Sequence, residues 1–369
     1  MKEDCGEEDR ETEECNATNR LLQVSTIYHE PNVMEYKRGR EILGRYPEAT
    51  RIKVPSHWNI PILHGNEGSI ERWTEIKRTV LVLGVKKSLQ CTPYARSCDF
   101  VAPSHASGCA MACSYCYVPR RKGFANPISV FVNIEQICLH IERHATKQGQ
   151  KPKATQADER LWVYELGTNS DCSVDALIGD NIRDLIELFR RLPNAKATFA
   201  TKYVNRDLLG YDPQGKTRIR FSLLPPRVAR VVDVRTSTVA ERIGAMNDFV
   251  EAGYEVNINF GPVIYYDNWL EEYAELFEMI DEALSAQTKQ QLAAEVIFLT
   301  HNERLHEVNM GWHPQAEKLL WRPDLQERKV SETGGENVRY KLSIKRGLVE
   351  DFCRLLTERL PYCRVRYAF

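Results

Sequence analysis

The chain of 369 residues contains no run of eighteen apolar residues, so nothing in it is built to cross a bilayer as a helix. Its opening stretch, MKEDCGEEDRETEEC, lacks the apolar segment that a secretory signal needs. Together these absences make a cytoplasmic protein the expectation. An excess of charge of one sign is missing too, with 50 Lys and Arg against 51 Asp and Glu. The molecule as a whole therefore carries no electrostatic signature of a nucleic-acid binder, and any basic face has to be local. There are no internal repeats and no long low-complexity linkers. With 43% hydrophobic residues available to bury, this favours one large domain with terminal additions. Cysteine, by contrast, is plentiful. Eleven are present, and in a reducing compartment they read as buried thiols or metal ligands rather than a disulfide framework.

Residues 1–20 are polar and acidic, and are expected to be disordered; Cys5 and Cys15 in this tail are given no role. Residues 21–97 form an N-terminal extension, with a helical pattern within YHEPNVMEYKRGREILGRY and an apolar strand, TVLVLGV, at Thr79–Val85. From residue 98 to 301 strands and helices alternate. DFVAP, LWVYELG, KATFATKY, TRIRFSLL, YEVNINFGPVIY and AAEVIFLTH read as strands. VNIEQICLHIERHATKQG, ALIGDNIRDLIELFRRL, TVAERIGAMNDFVEAG and WLEEYAELFEMIDEALS read as amphipathic helices. Residues 302–369 form a C-terminal extension holding a helix, GLVEDFCRLLTERL, and a last strand, CRVRYAF. Repeated βα units imply an α/β barrel or an open parallel sheet, with functional groups at the C-terminal ends of the strands.

The stretch SGCAMACSYCYVPR places Cys109, Cys113 and Cys116 four and then three residues apart. Three thiolates in one loop can bind zinc if a fourth ligand arrives from elsewhere. They can equally hold an iron–sulfur cluster that leaves one iron open, or simply be buried thiols. No second cysteine pair stands at a zinc-finger distance. The loop falls at the first βα turn, and Tyr115 directly precedes its last cysteine.

This combination resembles the signature of the radical S-adenosylmethionine superfamily. The resemblance implies a 4Fe–4S cluster on Cys109, Cys113 and Cys116, with S-adenosylmethionine bound to the fourth iron. Reductive cleavage would then give methionine and a 5′-deoxyadenosyl radical. The segments SCDFVAPSHASGCAMACSYCYV, VFVNIEQI, YELGTNSD, FATKY, TRIRFS and AGYEVNINFGPVIYYDNW are similar, in order, to the spore photoproduct lyase family. That family implies a partial (β/α)6 TIM-like barrel and a thymine lesion in DNA as substrate. It also implies a reducing partner such as flavodoxin or ferredoxin. Carried residue by residue, it places Ser170, Asp171, Lys202 and Ser222 against the methionine end of the cofactor, and Tyr117 in a radical relay. The chemistry agrees: each cofactor residue falls at or just past a strand end. Lys202 suits a carboxylate, and Asp171 an ammonium group.

One position departs from the family. Where the lyases carry a cysteine that returns a hydrogen atom to the substrate radical, this chain has Thr168. A threonine O–H bond is too strong for that task. Cys172 is the candidate substitute, although four extended residues would carry its sulfur more than about 10 Å away unless the loop folds back. The departure keeps two other readings open: a radical enzyme acting on a different nucleic-acid or small-molecule substrate, and a non-catalytic, cluster-bearing DNA-binding or sensor protein. Basic candidates for a DNA rim are Arg120, Arg121 and Lys122, and also Arg227, Arg230 and Arg235. Trp312, Trp321 and His105 read as packing residues. His301, at the end of the last clear strand, is a candidate substrate-side group.

Overall fold

The computed structural model describes residues 21–63, 70–118, 123–330 and 336–369. The chain opens with three strands, β1 (Thr26–His29), β2 (Thr50–Lys53) and β3 (Val80–Gly84), linked by helices α1 (Lys37–Arg45) and α2 (Ile70–Thr79). β1 pairs in parallel with both β2 and β3. Two short strands, β4 (Thr92–Pro93) and β5 (Phe100–Val101), then begin a second sheet. The chain returns to the first sheet through β6 (Ala106–Ser107) and β7 (Ile128–Phe131), completing the order β2-β1-β3-β7-β6. The cysteine loop is the connection between β6 and β7.

β7 was not among the expected strands. It belongs to the first sheet although it lies beyond residue 97, so the N-terminal sheet and the barrel interleave in sequence. β3 is apolar throughout because both its faces are covered. Leu81 and Leu83 pack with Ile27, Ile128, Val130, Ala110 and Met111, and Val80 and Val82 pack with Tyr28, Trp73 and Ile76.

After α3 (Ile134–Gln148) the second sheet grows by β8 (Trp162–Glu165), the single-turn helix α4 (Cys172–Asp175), α5 (Asn181–Arg191), β9 (Ala195–Thr201) and β10 (Thr217–Ser222). It continues with α6 (Pro226–Val232), α7 (Val239–Glu251), β11 (Glu255–Val263), α8 (Trp269–Ala283), α9 (Ala286–Gln291) and β12 (Ala293–Phe298). β5, β8, β9, β10, β11 and β12 each pair in parallel with the next. This is the partial (β/α)6 barrel. The C-terminal part adds β13 (Thr300–His301), α10 (Glu303–Trp312), α11 (Pro314–Leu320), β14 (Gln326–Val330), β15 (Glu336–Tyr340), α12 (Leu342–Arg359) and β16 (Arg364–Ala368). β16 extends the barrel sheet in parallel beside β12, while β13, β15 and β14 form a small antiparallel sheet. No helix among the described residues is long and apolar enough to cross a membrane.

The barrel strands alternate. Ala197, Phe199, Ile219, Phe221, Val256, Ile258 and Phe260 join the large apolar core with residues of the surrounding helices, such as Phe189, Phe249, Phe277 and Phe352. The residues between them, Lys196, Arg218, Arg220, Glu255 and Asn257, are polar and buried or nearly so. Burying these charges is tolerable only because each meets a partner. Lys196 pairs with Asp158 and Glu255, and Arg218 Nε lies 2.5 Å from Glu255 Oε1. One step along β10, Arg220 bridges Glu165 at 2.6 Å and Glu295 at 2.7 Å, joining β8 to β12. Arg366 Nη2 and the Tyr367 hydroxyl reach Glu295 from β16, at 3.3 and 2.9 Å.

Arg220→Met would leave Glu165 and Glu295 short of their common partner. We expect a loss of about 3–5 kcal/mol, read as a lower urea midpoint at unchanged slope. A variant as stable as the parent would show that this ion layer does not hold the barrel.

Candidate functional site

The cysteine loop is pinned from several sides at the C-terminal ends of the barrel strands. Gly108 N donates to Asn169 O, just past β8, at 2.8 Å. Ala112 N and Ser114 N donate to Val234 O and Val232 O, at the end of α6, both at 3.0 Å. Asn309 Nδ2, from α10, donates to Ser114 O at 2.6 Å. The loop's small residues have a packing cause. Ala110 and Met111 are plugged into the core of the first sheet. Gly108 has φ +97°, and a Cβ there would stand 2.3 Å from Pro127 O. Below the loop, Lys77 Nζ donates to Cys109 O at 3.2 Å.

Cys109, Cys113 and Cys116 are free and half-buried. A single zinc draws its thiolates to roughly 3.8 Å from one another, given 2.3 Å bonds at tetrahedral angles. Among the described residues, the groups whose ligand atoms lie within 4.8 Å of one another are His105–Cys172–Asp175 and His301–His306–Glu317, not the loop cysteines. Burial pushes the free Cys109 thiol up to about 12, with Asp171 adding to the rise and Lys77 opposing it. Metal binding has to displace these protons.

The expected cofactor residues come together around this loop. Lys202 follows β9 and holds its ammonium 5.4 Å from the centre of the Tyr115 ring. Ser222 closes β10; its buried hydroxyl accepts from Asn259 Nδ2 at 3.2 Å. Ser170 Oγ donates to Asp175 Oδ2 at 2.6 Å. Asp171 is already engaged by the protein. Its Oδ1 accepts from Ser173 N, Val174 N and Thr201 Oγ1 at 3.1, 3.3 and 2.8 Å, and its Oδ2 from Lys202 N at 3.0 Å. Burial raises its pKa to about 6, against these hydrogen bonds. This carboxylate ties α4 to the end of β9 and so sets where Lys202 begins.

The two tyrosines of the loop part company. The half-buried Tyr115 donates its phenol to Asp233, whose other oxygen accepts from Arg242 Nη2 at 3.0 Å. Tyr117 is 49% exposed and donates to the backbone carbonyl of Thr168. The loop after β8 does fold back. Gly167 has φ +65°, and a Cβ there would lie 2.5 Å from Cys172 Sγ. The Cys172 sulfur thus sits one residue from Thr168, yet it is fully buried.

A family model described as spore photoproduct lyase matches residues 22–369. The chain belongs to the spore photoproduct lyase family. The spore photoproduct lyase of Bacillus subtilis (strain 168) is 28% identical over 275 residues, covering 73% of this chain and 77% of that protein. The enzyme of the same name from Clostridium acetobutylicum is 28% identical over 260 residues, covering 70% and 74%. Among solved structures, a double mutant of spore photoproduct lyase with bound AdoMet and dinucleoside spore photoproduct superposes with a TM-score of 0.84 at 23% identity. It covers 95% of this chain and 100% of that one. A complex with dinucleoside spore photoproduct gives a TM-score of 0.83 at 22% identity, with the same coverage. These likenesses establish the fold.

Other expected residues of this spore photoproduct lyase family member lie elsewhere or serve packing. Arg227 pairs with Glu272 and covers the Tyr266 ring, and Arg235 Nη2 donates to Leu21 O at 2.7 Å. Arg230 is exposed. Arg120, Arg121 and Lys122 lie outside the described residues. His105 meets Asp175 at 2.9 Å. His301 is buried against Glu317 at 3.1 Å. Trp321 stacks on His306 and Trp312 on His313.

Lys77, Asp233, Arg242 and Asn309 were not foreseen. Two of them left a signal. Lys77 follows Trp73 at the fourth position of one buried face, and Asn309 follows Leu305 in the same way.

Replacing any one of Cys109, Cys113 or Cys116 by Ala should abolish the iron content and visible colour of anaerobically reconstituted protein. Cys353→Ala should keep both. Stoichiometric zinc with no iron in the parent would reverse the reading of this loop.

Proposed function

We propose that this chain is a radical S-adenosylmethionine enzyme of the lyase type, acting on a thymine photoproduct in DNA. The observation that carries the reading is the set of three half-buried thiols on a loop that Lys202 approaches from the end of β9, in a chain matched by the spore photoproduct lyase model over residues 22–369. A 4Fe–4S cluster on Cys109, Cys113 and Cys116 would supply one electron to break a carbon–sulfur bond of S-adenosylmethionine and release a 5′-deoxyadenosyl radical. The chain's own residues orient and enclose. The Lys202 ammonium answers the cofactor carboxylate, and the Ser222 and Ser170 hydroxyls offer hydrogen bonds beside it. Asp171 acts through Lys202, whose backbone N–H it holds. The electron would come from a small reductant such as flavodoxin or ferredoxin, and the substrate strand from DNA.

A second reading, a radical enzyme with a different substrate, draws on Thr168 in place of the family's hydrogen-donating cysteine. Two side chains stand near that position. Tyr117 presents a phenol from the accessible side, and Cys172 a thiol from the buried side. The exposed phenol is the better placed to meet a substrate radical.

Dithionite-reduced, reconstituted protein should cleave S-adenosylmethionine and recover thymine from DNA carrying synthetic spore photoproduct. Cleavage with the lesion untouched would retain the radical chemistry and move the substrate elsewhere. No cleavage by cluster-loaded protein would leave a binding or sensor protein. If the lesion is repaired, Tyr117→Phe should depress the thymine yield well below that of Cys172→Ala, measured at equal cofactor cleavage. The reverse order would make Cys172 the donor.

A further inference from the structure

The loop that carries the three cysteines rests on a buried positive charge. Lys77 extends from the buried face of α2, in the N-terminal sheet, and is only 3% exposed. Its ammonium donates to the carbonyl of Cys109 at 3.2 Å. Among the described residues, it forms no ion pair with a carboxylate. Burial lowers its pKa; the sulfurs of Cys109, Cys116 and Cys113 oppose that, the like-charged Arg235 adds to it, and His313 also feels its charge.

An ammonium withdrawn from water with only a carbonyl for company is costly, and chains keep such a group when an anion is to meet it. Neutral thiols are no such anion. The three sulfurs become one when they bind metal, because each gives up its proton. Among the described residues, the deeply buried cations of the barrel have a carboxylate at hand, Lys196 and Arg220 among them.

We infer that Lys77 is the built-in counter-charge of the cluster, a positioning residue that favours its reduced state. The inference rests on the reading that Cys109, Cys113 and Cys116 hold a 4Fe–4S cluster. Reduction takes one electron from an external low-potential donor, makes and breaks no bond, and adds one negative charge next to the ammonium. A fixed cation stabilises the more negative state more strongly, so it raises the reduction potential. Helix α2, which carries none of the three cysteines, thereby sets how readily the site accepts its electron.

The test compares full-length parent, Lys77→Met and Lys77→Arg, each reconstituted anaerobically without S-adenosylmethionine or DNA. Iron and sulfide content, circular dichroism and an EPR-monitored redox titration are measured for each. Methionine keeps the apolar stem and removes the charge; arginine keeps the charge. The expected result is that Lys77→Met is about tenfold harder to reduce, equivalent to about 59 mV for a one-electron couple, and that Lys77→Arg returns towards the parent. A folded Lys77→Met protein that takes up no iron, while Lys77→Arg does, also supports the inference, since charge alone separates the two. Equal midpoints in fully loaded parent and Lys77→Met would overturn it. So would loss of iron from both folded variants, because shape rather than charge would then be at stake. A parent that forms no 4Fe–4S cluster would overturn the cluster reading itself, and that outcome is visible before any variant is compared.

Discussion

A charge taken out of water has to be met by another, and the interior of this barrel is ordered by that requirement. Its strands turn aliphatic and aromatic side chains outward to the helices and polar ones inward, so the barrel is filled by ion pairs rather than by packed aliphatics. Along β10 the sequence is Arg218, Arg220, Ser222. The first arginine meets Glu255 and the second meets Glu165 and Glu295. Then charge gives way to a small hydroxyl. The floor of the barrel is thus closed by matched charges, and its mouth is left to a small residue.

At the mouth the matching stops. Asp171 is held by four hydrogen bonds, and Asp233 by Tyr115 and Arg242. Lys202 and Lys77 are different: among the described residues, neither ion-pairs with a carboxylate. They approach the cysteine loop from opposite sheets, Lys202 from the end of β9 and Lys77 from α2. Two ammonium groups directed at one loop from two modules make that loop the place where an anionic assembly would be welcome. Matched charges stabilise a fold, whereas unmatched ones mark where a ligand is awaited. The loop can serve both sheets because its residues divide the work. Ala110 and Met111 fill the first core, while the backbone of Ala112 and Ser114 bonds to the connection after α6.

Much of this was legible in the chain. The cysteine spacing, the alternation of strands and helices, and the terminal helix and strand could all be read directly, because each is a local pattern. β7 escaped because Ile128–Phe131 is only four residues long and carries no turn residues of its own to mark it off from the helix that follows. Its membership of the first sheet depends on pairing with β3, some 45 residues earlier in the chain. The Asp233 partnership with Tyr115 spans 118 positions, and no local pattern reports it. Lys77 and Asn309 lie between these cases. Each is a polar residue on the buried side of a helix, a local irregularity whose meaning depends on what the fold brings against it. The basic stretch around Arg227 and Arg235 reads as a nucleic-acid rim by composition; the fold adds that Glu272 and the Leu21 carbonyl meet two of its arginines, which no local pattern reports.

The exchange of cysteine for threonine at position 168, read from the family resemblance, is easier to understand once the bond to Tyr117 is seen. That bond is made to the carbonyl of Thr168, not to its side chain. A backbone acceptor is indifferent to the residue that carries it, so a thiol can be replaced here without moving the phenol. The exchange therefore leaves the position of the Tyr117 phenol undisturbed. Cys172 is held back from that turn. Its sulfur rests against Gly167, whose left-handed backbone and missing Cβ make the space it fills, and it is enclosed with His105 and Asp175 on the far side of the strand end. On the proposed reading, a phenol at the Thr168 turn would return a hydrogen atom only to a carbon radical at least as reactive as its own oxygen radical, and not to a much more stable one.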